Sequence, residues 1–391
     1  MTQSTRFAVT PLNRRWLLFI AVFVFVLSGS VPIYAVTDLL HRPAMKTGKA
    51  VSSMLTDVAN TGTRLVAVGE RGHILYSDDK GINWQQAEVP TSLTLTAVYF
   101  PSAQKGWAVG HDGVVLHSED GGLNWTRQLD GMALIEAGLT LAKSLVAEKE
   151  AALAAADPEN QTALSSELDA LRFTMEDFQR SFDEKICCEP LMDVWFKNDM
   201  EGFVVGAYGQ IGRTVDGGKT WQACWDRIDN PDRNHLNSIC AGAKGSIFIA
   251  GEFGSIFRSL DEGAHFEKLS SSSYDGSFFG IVAYPNDPFV IAYGLGGNIV
   301  HSTDLGETWR HLETETGGTI GGATVCSDGT LIMVSYSGVI LIGSGETATF
   351  TQQKVGAGWI GVADALDGNA VMVGMRGAQR LPIGDYKQGD K

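Results

Sequence analysis

Positive charge is scarce in this chain: Lys and Arg number 30 against 45 Asp and Glu, a formal net charge of −15. Residues 1–45 carry Arg6, Arg14, Arg15 and Arg42 against Asp38, so the remainder stands near −18. A surface that acidic disfavours nucleic acid and repels anionic headgroups. Histidine is sparse too. The eight histidines form no H-x-x-x-H or H-E-x-x-H pair, so no metal site is expected. No glycine-rich loop follows a strand and opens a helix, so no phosphate-bearing cofactor is expected either. Only 11 prolines stand beside 46 glycines, a turn-rich globular composition, and the length is ample for one large core.

Long apolar runs are confined to the amino end. Trp16–Leu27 holds no polar residue, and the apolar stretch continues through Ser28-Gly29-Ser30 to about Ala35. About 20 such residues span a bilayer, and Arg6, Arg14 and Arg15 should stay cytoplasmic. The expectation for residues 1–36 is a cytoplasmic N-terminus and a transmembrane anchor, a single pass through the inner membrane with the rest in the periplasm. The rival is a cleaved signal peptide, ending at Ser28-Gly29-Ser30 or by Ala35. Both readings export the remainder. Five cysteines in an exported chain leave one unpaired. Cys187 or Cys188 could bridge to Cys224 with connectivity open, while Cys240 and Cys326 fall on inner strands as buried thiols.

What is abundant is one repeated phrase. In Gly106–Trp125, GWAVGHDGVVLHSEDGGLNW, two short strand signals flank a tight turn, and Ser118-x-Asp120-x-Gly122-x-x-Trp125 closes it. This is an Asp-box: Ser and Asp accept turn amides, Gly takes positive φ, and the Trp folds back as an apolar plug. It recurs around Asp79 and Trp84, Asp216 and Trp221, Asp261 and Phe266, and Asp304 and Trp309. A degenerate copy ends at Phe350. The closing aromatics lie 41, 96, 45, 43 and 41 residues apart, and a period near 43 with four strand signals per unit marks a propeller blade. Carboxylates committed to their own turns, once per blade, read as structure rather than catalysis.

The expected fold is therefore all-β, a seven-bladed propeller over residues 37–383 with a polar tail at 384–391. The last unit, 359–383, supplies three strands, and residues 42–50 are expected to add its fourth from the amino side. The double spacing holds an insertion at 131–185. Ile135, Leu139, Ala142, Val146 and Leu153 form one apolar stripe. Leu164, Leu168, Leu171, Met175, Phe178 and Phe182 form another after Asp157-Pro158. These read as an antiparallel coiled-coil hairpin with Glu159 and Asn160 at its tip.

Blade topology sorts the turns by face. Asp-boxes join strands 3 and 4, whereas the hairpin is a connection between blades and rises from the opposite face. Turns between strands 2 and 3 share the hairpin's face. They offer Glu70 and Arg71, His111 and Asp112, Tyr208, Phe253, Tyr336 and Arg376 as partner-contact candidates, because rim aromatics suit protein contact. If residues 42–50 close the ring, their strand direction puts the anchor at the Asp-box face and points the hairpin away from the membrane.

The repeated unit, G-W-A-V-G-x-x-G-x-[IVL]-x-x-[ST]-x-D-x-G-x-x-W over Leu55–Phe350, resembles the photosystem II stability/assembly factor family of BNR/Asp-box propellers. The resemblance implies a non-catalytic, exported binding protein. Family members in phototrophs hold a reaction-centre subunit during assembly, while relatives in non-photosynthetic proteobacteria accompany RND-type transporters. With only Arg71 and Arg376 on the rim turns, and with the insertion, the expectation falls on the second kind. That is a membrane-anchored periplasmic scaffold that stabilises an inner-membrane complex, an RND-type transporter. The alternatives are a photosystem-type assembly chaperone and a glycan-binding or sialidase-like propeller. No R-I-P motif accompanies the Asp-boxes, so an enzyme is not expected, nor is a small-molecule ligand.

Overall fold

Short apolar runs punctuated by glycine turns fold into antiparallel strands, and the computed structural model shows how they assemble. It describes residues 38–385 apart from 187–188, 270–273, 315, 345–348 and 357. From Leu39 onward the described residues form one compact unit. The segment expected to anchor the chain lies outside the described residues, and among those described no helix is long and apolar enough to cross a membrane.

The first sheet takes β1 (Leu55–Asn60), β2 (Leu65–Gly69), β3 (Ile74–Ser77) and β4 (Gln85–Gln86). The second takes β5 (Leu95–Tyr99), β6 (Gly106–Gly110), β7 (Val115–Ser118) and β8 (Thr126–Leu129). After the insertion come β9 (Leu191–Phe196), β10 (Gly202–Gly206), β11 (Ile211–Thr214) and β12 (Gln222–Ala223). The fourth sheet is β13 (Leu236–Ala241), β14 (Ile247–Gly251), β15 (Ile256–Ser259) and β16 (Glu267–Lys268). The fifth is β17 (Phe278–Ala283), β18 (Val290–Gly294), β19 (Ile299–Ser302) and β20 (Arg310–Leu312). The sixth is β21 (Ile320–Val325), β22 (Thr330–Ser335), β23 (Val339–Ser344) and β24 (Thr349–Lys354). A seventh holds β25 (Trp359–Asp364), β26 (Asn369–Gly374) and β27 (Gly377–Pro382). Strands pair in sequence order within each sheet, and each innermost strand packs on the next, β25 returning to β1. That is a closed ring of seven blades.

Burial follows position. Second strands β2, β6, β10, β14 and β18 are buried at every residue, as strands pressed between two neighbours must be. Trp107 on β6 shows the packing between blades, stacked on His117 at 4.5 Å and on Phe196 of the third blade at 3.6 Å. Every innermost strand also bulges after its first residue. The bulge turns polar side chains towards the next blade. Thr56 Oγ1 donates to the Leu95 carbonyl at 2.7 Å, Thr96 Oγ1 to Leu191 at 2.7 Å, and Asn237 Nδ2 to Phe278 at 2.7 Å.

Closure differs from the expectation. The seventh sheet has three strands among the described residues, and residues 42–50 do not pair with it. Instead the Ala44 N–H donates to Val89 O at 3.0 Å, Thr47 N–H to Gln86 Oε1 at 3.0 Å, and Gln86 Nε2 to Met45 O at 3.0 Å. Residues 44–47 therefore lie along the outer edge of blade one, while Ala50–Ser52 packs against β27 of blade seven without adding a strand to it. The ring is shut by side chains: Leu55, Leu65, Ala67 and Leu75 of blade one share a core with Ala363, Val371 and Val373 of blade seven. Asn60 Nδ2 reaches the Asp364 carbonyl at 2.5 Å, and Arg380 Nη1 the Lys80 carbonyl at 2.5 Å.

The insertion forms two helices, α1 (Gly131–Ala155) and α2 (Pro158–Glu184). Asp130 caps α1 by accepting the Ala133 N–H at 3.2 Å, Pro158 opens α2 in the first turn, and Lys185 ends it in the left-handed region. At 25 and 27 residues each helix is about 40 Å long. Leu139, Ala142, Val146 and Leu168 are buried between them, and Phe178 lies over Gly138, where a Cβ would stand 2.5 Å from its ring. Lys149–Glu167 at 2.5 Å and Arg172–Glu150 at 2.6 Å tie the outer halves together.

Candidate functional site

Three arrangements deserve the question of function: the Asp-box turns, the channel, and the face that carries the hairpin. In the first box Ser77 Oγ donates to Asp79 Oδ1 at 2.8 Å and accepts the Gly81 N–H at 2.8 Å. Asp79 accepts the Asn83 N–H at 2.8 Å and its side-chain amide at 2.7 Å. Asp120, Asp216, Asp261 and Asp304 repeat this geometry. Donors converge on the charged form. The Asn83 N–H groups and the Ser77 hydroxyl hold Asp79 down at about 2, the His265 N–H holds Asp261 at about 2, and Ser302 holds Asp304 at about 2. Trp125 and Trp309 each return an indole N–H to the box, on Gly122 O and Gly306 O at 3.0 Å. Every oxygen that could react is already engaged in its own turn.

The channel holds two carboxylates that sequence reading passed over. Asp57 accepts the Val58 N–H at 2.8 Å and the Val98 N–H of blade two at 2.9 Å. Asp193 accepts the Val194 N–H at 2.8 Å, and the Ile239 N–H and Ser238 hydroxyl of blade four at 2.9 Å each. The signal was available as a lone Asp at one place in two inner strands, Leu-Thr-Asp-Val and Leu-Met-Asp-Val. Burial outweighs these donors and pushes Asp57 up to about 6 and Asp193 up to about 7. Both bind a proton more tightly folded than unfolded. Their contribution is therefore present below their ordinary value of 3.8 and lost as pH rises through about 6 and 7. The Asp-box carboxylates act in the opposite sense, losing theirs as pH falls towards about 2. The melting temperature should thus peak in mildly acid buffer and fall towards neutrality. Asp57→Asn with Asp193→Asn should flatten the neutral limb, and a limb unchanged in that double variant would refute the assignment.

On the hairpin face the 2–3 turns are built alike. Arg71, Asp112, Tyr208 and Phe253 sit at φ between 52° and 57°, each followed by a glycine at positive φ. In blade one the His73 N–H closes the turn on Glu70 O at 3.0 Å, a type I′ hairpin. Asn or Gly usually takes that first position, so Arg, Tyr and Phe there are held against preference. Tyr208 is 53 % exposed, Phe253 68 %, and Tyr336 44 %. Leu295 and Met375, on the turns of blades five and seven, are also exposed, so apolar side chains run round the rim from blade three to blade seven. Arg71, His111 and Arg376 are exposed and Asp112 half-buried, while Glu70 accepts the Met54 N–H at 3.3 Å. Arg71 and Arg376 stand on neighbouring blades. Glu159 and Asn160 are exposed at the hairpin tip.

The chain also reaches the propeller on this face. Ser92 and Thr91, in the connection leaving blade one, bind the Leu39 carbonyl at 2.9 and 3.0 Å, and Gly72 of the 2–3 turn packs against Thr91. Leu39 thus lies on the hairpin face, and the anchor, which strand direction was expected to put at the Asp-box face, falls outside the described residues. The expected bridge to Cys224 is corrected. Cys224 is a buried free thiol whose Sγ lies 3.7 Å from Ile211 O, and burial pushes it up to about 12. Cys187 and Cys188 lie outside the described residues.

The hairpin root carries a feature that sequence reading missed. A groove of about 450 Å³ opens between the helices and the third blade. Phe178 of α2 stacks on Trp225 at 6.1 Å, Arg233 lies over Phe178 at 5.3 Å, and Arg233 Nη1 stands 3.3 Å from Asp177 Oδ2. Its residues come from both helices, a turn and the connection leaving blade three, too far apart in sequence for any spacing to announce them.

A ring of seven sheets with Asp-boxes on one face and an exposed rim on the other defines an Asp-box β-propeller. Residues 44–140 and 182–353 match the model of the family described as photosynthesis system II assembly factor YCF48, and the chain belongs to that family. The match passes over 141–181, most of the hairpin. A curated relative is the photosystem II assembly lipoprotein Ycf48 of Synechococcus sp. (strain CC9902), 30% identical over 213 residues. That alignment covers 53% of this chain and 62% of the relative, less than two thirds of its length. Among solved structures, YCF48 bound to D1 peptide is similar with a TM-score of 0.57 at 15% identity, over 88% of this chain and 99% of that one. YCF48 from Cyanidioschyzon merolae gives 0.58 at 17% identity, over 88% and 99%. The WD40 propeller domain of Doa1 gives 0.58 at 9% identity, over 88% and 95%. At such identities the likeness is one of fold.

These findings correct the expected partner. The family and the curated relative are photosystem II assembly factors, and one solved relative holds a D1 peptide. The RND-type transporter drawn from the insertion and the few rim arginines is therefore set aside. An added hairpin changes what a propeller touches without changing the lineage of its blades.

Proposed function

We propose that this chain is a non-catalytic assembly factor of the photosystem II type, which holds a peptide segment of a reaction-centre subunit on its hairpin-bearing face. The observation that carries the reading is the family match on both sides of the insertion, over 44–140 and 182–353. The rim supports it physically: Tyr208, Phe253, Tyr336 and their neighbours expose apolar area around a rigid ring, at a low cost in ordering on binding. A binding role without chemistry agrees with Asp-box carboxylates that are each consumed by their own turn. Work on the exported side of a membrane, with residues 1–36 as anchor, belongs to the same proposal. Glu70, Arg71, His111, Asp112, Arg376, Glu159 and Asn160 complete the proposed contact face.

The test is calorimetric titration of the intact chain with a D1 peptide. Binding at micromolar or tighter Kd is expected, weakened roughly tenfold or more by Phe253→Asn with Tyr336→Asn. Absence of binding by the folded protein overturns the reading.

A further inference from the structure

The groove at the hairpin root goes beyond the family, because its α2 residues Asp177, Phe178 and Ser181 fall in the stretch that the family match passes over. Leu134, Ile135, Phe178, Ile186, Tyr208 and Trp225 make its lining chiefly apolar. Two observations show that it is more than a packing gap. Tyr208 holds φ 52°, ψ 37°, a backbone state bulky side chains avoid, and so keeps a half-exposed aromatic ring at the mouth, edge-on to His235 at 4.8 Å. The Trp225 indole N–H is buried without an acceptor among the described residues, where such donors are normally paired.

Charge says what the groove would take. Asp177, Glu189 and Asp232 line it with a single cation, Arg233, which is already shared between Asp177 and the Phe178 ring. Asp232 and Glu189 make no ion pair among the described residues. Arg180 also pairs with Asp177, so the uncompensated charges are those of Asp232 and Glu189, which stand beside aromatic walls and are complementary to an apolar side chain next to a basic one. We propose that this groove is a peptide-docking site for a segment in which an aliphatic or aromatic residue is flanked by Lys or Arg. The aromatic or aliphatic side chain fills the space between Phe178, Trp225 and Tyr208, and the cation meets Asp232 and Glu189. This rests on the reading of the protein as peptide-binding and adds where, and for which chemistry. The hairpin then acts as a clamp, one wall of a site whose other wall is blade three.

The experiment pans a randomised short-peptide display library against the intact chain and measures the selected peptide, made synthetically, by fluorescence anisotropy. Selected sequences should place Lys or Arg beside Leu, Phe or Trp. Tyr208→Asn, which suits positive φ and keeps the turn, should weaken the selected peptide roughly tenfold to thirtyfold. Asp232→Lys should weaken it similarly, and changing the peptide's basic residue to Glu should restore part of the loss. Selected peptides that are acidic, or whose affinity survives Tyr208→Asn and Asp232→Lys, overturn the groove while leaving a peptide-binding protein. Failure of the folded chain to select any peptide overturns both.

Discussion

Trp125→Ala and Trp221→Ala are each expected to lower the unfolding free energy by about 3–5 kcal/mol. Trp125 is 4 % exposed and packs with Phe100, Val66 and Leu116 where blades one and two meet, while Trp221 is 8 % exposed in the core shared by blades two and three. Neither seam can collapse to fill the void, because the ring sets the distance between blades. Against a typical total of about 5–15 kcal/mol, one such loss is a large fraction. Trp84 and Trp309 close the same motif but are only half-buried, so their removal should cost less. Urea denaturation of the four variants tests the order. Equal losses at all four would show that the turn, rather than the buried plug, carries the energy.

Replacing Ala133–Asp183 with a short Gly/Ser loop should leave a cooperatively folding propeller that no longer retains its peptide partner. The hairpin faces the propeller through its inner half, from Leu134 and Phe178 at the root to Leu171 and Thr174 near the middle of α2, and its distal half ends in the exposed Glu159 and Asn160. Melting should therefore shift downward modestly while the β-sheet signal and the single transition persist. Loss of cooperativity would make the hairpin part of the core. Full retention of the partner by the shortened chain would remove the hairpin from the contact face.

The local chemistry was legible in the sequence because it is local. An Asp-box is eight residues closed by its own hydrogen bonds, so Ser118, Asp120, Gly122 and Trp125 announce it without reference to anything distant. The period of its copies gives blade number, and two stripes of 3- and 4-residue steps give the helices. The family followed from those same residues, whereas the transporter did not. That inference leaned on an insertion and on missing arginines, which describe surface and not descent.

Sequence alone thus determined seven repeats, five full Asp-boxes, an inserted pair of helices and the face from which they rise, all consequences of short-range pattern and strand order. Tertiary structure alone decided how the ring shuts, because a seam of Leu55, Leu65 and Val371 depends on blades 300 residues apart meeting side by side. It decided too that residues 44–47 run along blade one, where Gln86 offers both a donor and an acceptor that no pattern in 42–50 foretells. The root groove is likewise a product of approach: Phe178, Tyr208, Trp225 and Arg233 acquire a common purpose only when α2 lies down against blade three.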